Sequence, residues 1–279
     1  MSRPVSHPAS AAAVAPGVSL ARAVNGEWIK LRSVRSTTVA LLLSVVVFVG
    51  VGLITAGAMA EPLAAGTLEP DGPPFQPSTP TGATLGGVAF AQLLIGALGV
   101  LYVSSEYSTG LIRATFSAVP RRLPVLWAKC VVFAGVVLAL MLLSSLVSFL
   151  AGSALLGAHG VAPSLGDPGV LRAVLAAPVY LTGVGVAAIA LATLMRSTAM
   201  AVSVVSFAVF LLDSLAGMLL PEGVADAVTP YLPATAGKAF MAETQAGGVL
   251  APLPGFLVFC AYLVALLGLA AWTLRRRDA

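Results

Sequence analysis

The sequence predicts an all-α membrane protein with six transmembrane helices, and three observations carry that prediction. Of 279 residues, 58% are hydrophobic and only 9% charged. A soluble domain has about 25% charged residues, so this chain lacks the polar side chains to cover a water-facing surface. Six stretches are long and apolar enough to cross a hydrocarbon core, which takes about 20 residues of helix. Lys and Arg also fall almost wholly on one set of connecting segments. Barrel strands would need short alternating segments; none are present, and helices alone keep backbone amides paired in lipid.

Residues 1–18, rich in Ala, Pro and Ser without apolar periodicity, read as a disordered tail. Residues 19–279 form the transmembrane domain. Its first element, 20–37, reads LARAVNGEWIKLRSVRST. On a helix, Leu20, Val24, Trp28, Leu31 and Val34 recur every three to four residues, while Glu27, Lys30 and Arg32 lie largely off that stripe. The pattern fits an interfacial amphipathic helix in the membrane plane, with its tryptophan at headgroup level and its basic side toward anionic lipid.

The spans follow at about 38–60, 84–104, 126–156, 170–195, 198–220 and 253–274. The third is long enough to tilt or project. Only Arg-Ser-Thr separates the fourth from the fifth, so those two form a tight antiparallel pair. AMA at 58–60 resembles a signal-peptidase site, but the region before it is too long, so a retained span is the better reading. The loops at 61–83 and 221–252 are rich in Pro and Gly; neither amounts to a folded domain, though the second has helical character around 235–245.

Orientation follows from the cations. With both termini in the cytoplasm, 13 Lys and Arg lie inside against Arg172 and Lys238 outside. Most acids lean outward. The net charge of +4 is therefore a topological signal, and nucleic acid is not an expected partner. Cys130 and Cys260 both fall in apolar stretches and read as small buried side chains.

No Walker A sequence occurs: the Gly237–Lys238 pair is followed by Ala, so the loop that cradles ATP phosphates is missing. Metalloprotease, C-x-x-C and nucleophile-elbow motifs are absent too. The two histidines, His7 and His159, lie in the tail and a short loop. No catalytic, metal or cofactor site is expected in this chain.

The polar segment 104–129, SSEYSTGLIRATFSAVPRRLPVLWAK, lies between spans two and three on the cytoplasmic side. A helical piece carrying acid, base and aromatic groups ends at VPRRLP, where proline disfavours helix. It is either a docking surface for another protein or a solvated basic loop. Within the spans, Gln92, Ser144, Ser145 and Ser148 read as interhelical glue. Asp213 is the one acid well inside an apparent span. It faces a pathway through the bundle or a dimer seam, or else span five is shallow and leaves it near the outer surface.

EWIKLRSVRST before span one and SSEYSTGLIRATFSAVPRR after span two resemble the membrane subunits of type-2 ABC exporters (ABC-2 permeases) of the actinobacterial type. Phe116 stands where those proteins often have Leu, a conservative change. The resemblance implies that Glu27, Trp28, Lys30, Arg32 and Arg35 belong to an elbow-like interfacial helix. It likewise implies that Glu106, Tyr107, Thr109, Gly110, Ile112, Arg113, Pro120, Arg121 and Arg122 belong to a coupling segment, a cytoplasmic helix that docks on an ATP-binding subunit. ATP and Mg would sit on that partner, and two permease chains, identical or different, would pair in the plasma membrane of a bacterium. The expected function is ATP-driven export of a hydrophobic or amphipathic small molecule or lipid. A rival reading is a membrane scaffold or immunity-like protein that binds a partner without transport.

Overall fold

The computed structural model describes residues 20–67, 77–108, 123–243 and 249–276. Every regular element among them is helical, with no strand. The elements in chain order are α1 (Leu20–Ser33), α2 (Arg35–Ala65), α3 (Pro80–Thr84), α4 (Val88–Ser108), α5 (Leu123–Gly157), α6 (Val170–Met195), α7 (Thr198–Ser206), a π-helical turn (Phe207–Leu211), α8 (Leu212–Leu219), α9 (Glu222–Val228), a 3₁₀ turn (Thr229–Tyr231), α10 (Pro233–Ala239) and α11 (Pro252–Arg276). Six helices are long and apolar enough to span a membrane: α2, α4, α5, α6, the α7–α8 run and α11. The fold is thus an all-α bundle of six candidate spans, as the hydropathy pattern predicts.

Span four (α6) is the most enclosed of the six and spans five and six are the least. Its own Tyr180, Leu181 and Ile189 are fully buried, as are Ile95 and Phe133 of its neighbours. In lipid, apolar burial gives helices little reason to associate, so close packing through small residues takes over. A Cβ on Gly99 would fall 2.5 Å from the Gly185 carbonyl, and one on Gly185 would fall 2.4 Å from the Phe133 ring. Gly87 is tighter still: a Cβ there would lie 1.9 Å from the carbonyl oxygen of Phe48. Span two and the turn before it therefore meet spans four and one backbone to backbone.

Spans four and five are joined by two residues, Arg196 and Ser197. Arg196 holds a left-handed backbone at φ 54, a conformation that costs a non-glycine residue roughly 1–2 kcal/mol. Ser197 then caps α7 by accepting from the Met200 amide at 3.4 Å. The tight antiparallel link expected from the sequence is present.

Two short helices lie in segments read mainly as loops, the second where the sequence shows helical character around 235–245. Residues 80–84, expected in or at the edge of an exposed loop, form α3, with Thr81, Ala83 and Thr84 buried. Its terminal carbonyls, which no helical amide can reach, are taken up by side chains. Thr55 Oγ1 donates to Ala83 O at 2.6 Å and Ser148 Oγ donates to Thr84 O at 2.6 Å. The span-two helix accordingly starts at Val88, four residues later than expected. Helix α10 likewise enters the bundle: Ala234, Ala236, Gly237 and Ala239 are buried, and Gly237 lies flat against the Tyr180 ring. Arg172 ties this region down, its Nη2 donating to Ala242 O at 2.5 Å, while Thr79 Oγ1 donates to Glu243 Oε1 at 3.0 Å.

The glue reading of the span hydroxyls holds for Ser145, which donates to Val174 O at 2.7 Å across helices, and for Ser148. Ser144 instead bonds its own helix at Leu140 O. Gln92 Oε1 accepts from the Tyr180 hydroxyl at 2.6 Å, linking spans two and four.

Candidate functional site: a buried charge quartet

Near the end of the bundle that carries α1, four charged side chains from three helices meet. Glu27 and Lys30 come from α1, Glu106 from the last turn of α4, and Lys129 from the second turn of α5. Lys30 Nζ lies 3.0 Å from Glu27 Oε1 and 2.7 Å from Glu106 Oε1. Lys129 Nζ lies 2.8 Å from Glu27 Oε2 and bonds Glu106 Oε1 as well. Each ammonium thus touches both carboxylates, and the four formal charges cancel.

Glu27, Glu106 and Lys129 are buried, while Lys30 keeps 37% of its side chain accessible. Removing such groups from water costs several kcal/mol per ion unless geometry and hydrogen bonds compensate. Here they do for most of the polar atoms: the Tyr102 hydroxyl donates to Glu27 Oε2 at 2.9 Å, and the Lys129 ammonium sits 4.9 Å from the Tyr102 ring centroid, within cation–π range, while Glu106 Oε2 is buried without a hydrogen-bond partner. Burial pushes the Glu27 carboxyl up, but the ammoniums of Lys129 and Lys30 outweigh it and hold it below its ordinary range. Burial works against the Lys30 ammonium too, yet Glu106 and Glu27 hold its pKa above the ordinary lysine value.

The helix α1 is rotated from its sequence reading. Its inward face carries Ala23, Val24, Glu27, Lys30 and Leu31, whereas Trp28 and Leu20 are about half exposed. The expected stripe put Glu27 and Lys30 off the apolar face; the structure turns both toward the bundle, because Lys129 and Glu106 wait there as partners. Arg32 and Arg35 are exposed. Tyr107 lies in α4. The other coupling residues, Thr109, Gly110, Ile112, Arg113, Pro120, Arg121 and Arg122, lie outside the described residues, as does the expected disordered tail.

Lys129 and Tyr102 are the members that sequence reasoning did not assign to a site. A signal for Lys129 existed: it is an ammonium within the opening turns of a long apolar run, which calls for a partner. The quartet brackets the segment 109–122 on both sides and joins each flank to α1.

A second pair lies toward the other end. Asp213 of α8 meets Lys238 of α10 at 3.9 Å, the side chains 24% and 34% accessible respectively. Neither sequence reading foresaw this, because Lys238 belongs to a segment read as an outer loop. Among the described residues no group of three His, Cys, Asp or Glu is placed to hold a metal ion. No protein-family model matches the chain and no curated protein matches it.

Proposed function

We propose that this chain is the membrane-spanning permease subunit of an ATP-driven ABC-2-type exporter, working with a separate ATP-binding subunit. The observation that supports the reading most is the quartet. A docking segment at 109–122 transmits force only if its flanks are held to something. Glu106, three residues before it, and Lys129, seven after it, are both locked to the interfacial helix through Glu27 and Lys30. A push on the segment therefore displaces α1, span two and span three together. On this reading that end faces the cytoplasm of a bacterial cell, an orientation that the unequal distribution of Lys and Arg supports, and the partner there binds ATP and Mg and carries out the hydrolysis. The cargo is a hydrophobic or amphipathic compound, and a second permease chain completes the pathway.

Affinity purification of the tagged chain from its native membrane tests this. An ATP-binding subunit should co-purify, and Arg113→Glu should reduce its recovery at least fivefold while the chain still reaches the membrane. Labelling of a cysteine at 113 only from outside intact cells, or recovery of no ATP-binding subunit, would overturn the reading.

A further inference from the structure

The quartet at one end of the bundle is a closed ring of alternating charge; the Asp213–Lys238 pair at the other is half of such a ring, left open. We propose that Asp213, Thr235 and Lys238, with the apolar cavity beside them, bind a zwitterionic amphiphile. Its primary ammonium sits on Asp213, its phosphate or carboxylate on Lys238, and a few methylenes of its hydrocarbon chain in the cavity.

The polar half rests on groups whose contacts with one another are loose. A closed charge-assisted hydrogen bond spans about 2.7–2.9 Å, and the contacts of Lys30 and Lys129 with Glu27 lie at 3.0 and 2.8 Å. The gap between Lys238 Nζ and Asp213 Oδ2 is 3.9 Å. Asp213 Oδ1 and Thr235 Oγ1 are buried and face each other loosely, neither with a partner at full hydrogen-bond geometry. Orphaned polar atoms in an apolar setting are costly, whereas a carboxylate, a hydroxyl and an ammonium converging on one point suit an incoming group that both donates and accepts. An ammonium satisfies Asp213 and Thr235. Its linked anion satisfies Lys238, completing two positive and two negative charges. A ligand with one charge of either sign would leave the site unbalanced.

The apolar half adjoins it. A cavity of about 80 Å³ is lined by Tyr180, Val184, Val205, Val209, Phe259 and Leu263. Val209 is one turn before Asp213 along span five, and Pro233, also on the wall, opens the helix that carries Thr235 and Lys238. An apolar slot with a few convergent polar groups at its mouth is the usual form of a small-molecule site. The cavity and the pair stand independently of the coupling reading, and binding is measured here without ATP or a partner.

The test uses the full chain purified in detergent, with lipid binding followed by native mass spectrometry. Dioleoyl phosphatidylethanolamine should bind at least tenfold more tightly than dioleoylglycerol and at least threefold more tightly than dioleoyl phosphatidylglycerol. Asp213→Asn should cut phosphatidylethanolamine binding about tenfold and leave phosphatidylglycerol unchanged; Lys238→Met should weaken both. Thr235→Val, nearly isosteric, should cost phosphatidylethanolamine about threefold and keeps the test usable where a charge variant aggregates. Equal affinity for dioleoylglycerol and phosphatidylethanolamine, or Asp213→Asn and Thr235→Val both within twofold of the parent chain, would overturn the site. Glycerophosphoethanolamine should not displace the lipid at equal concentration; if it does, the role assigned to the cavity is wrong.

Discussion

Lys129→Met removes one charge from the quartet and little volume. Glu27 and Glu106 are then left with Lys30 alone, which touches one carboxylate at 3.0 Å and the other at 2.7 Å. Through that shared ammonium their acceptor oxygens lie no more than about 6 Å apart, where two like charges repel by roughly 3 kcal/mol at an effective dielectric constant near 20. The figure agrees with the roughly 3–5 kcal/mol typical of breaking a buried pair from one side. For a domain of this size about 3 kcal/mol corresponds to a fall of roughly 6–12 °C in melting temperature. The assay is the fraction of detergent-solubilised chain that stays monodisperse after heating. Adding Glu106→Gln to Lys129→Met restores neutrality with Glu27 and Lys30 still paired, so more than half of the loss should return. A Lys129→Met chain that melts within 2 °C of the parent, or a double variant no more stable than the single, would refute the account of the quartet as mutually dependent charges.

The quartet also sets a pH range for stability. The Glu27 carboxyl is held below its ordinary value of 4.5, so its contribution is complete above that value and disappears as pH falls through the lower folded value. Lys30 is held above its ordinary 10.5, so its contribution is complete below that and is lost as pH rises past the folded value. Melting temperature should therefore be flat between about pH 5 and 10, fall on either side, and lose part of its acid limb in Glu27→Gln. At Gly87 a methyl group would strike the Phe48 carbonyl, which cannot turn aside. Gly87→Ala should cost about 1–3 kcal/mol and lower the yield of monodisperse protein, whereas Gly50→Ala, with open space around it, should leave both unchanged.

The six spans were legible because length and hydropathy are properties of the segment itself. Span four appears at residues 170–195, as the apolar run suggested. What escaped was every feature that depends on a distant partner. Pro80–Thr84 is too short, and too rich in small residues, to show a periodicity, and the helical character read around 235–245 anticipates Pro233–Ala239 as a helix but not its burial. They enter the bundle only because Thr55, Ser148 and Tyr180 offer hydroxyls and a flat ring to receive them. The face of α1 was misread for a related cause: hydropathy places Glu27 toward water, and only the tertiary proximity of Lys129 reverses that. Asp213 was recognised as out of place in lipid, but its partner lies 25 residues further on, in a segment with no apolar signature.

The two-residue link at Arg196 and Ser197 has a mechanical consequence. Spans four and five cannot slide or separate where they join, so the pair can only open like the blades of scissors, with the pivot at that end. Asp213 lies about 22 Å along the second blade at 1.5 Å of rise per residue. A splay of about 10° would carry it roughly 4 Å, as far as the present gap to Lys238. A small tilt at the pivot is thus enough to widen or shut that crevice at the far side.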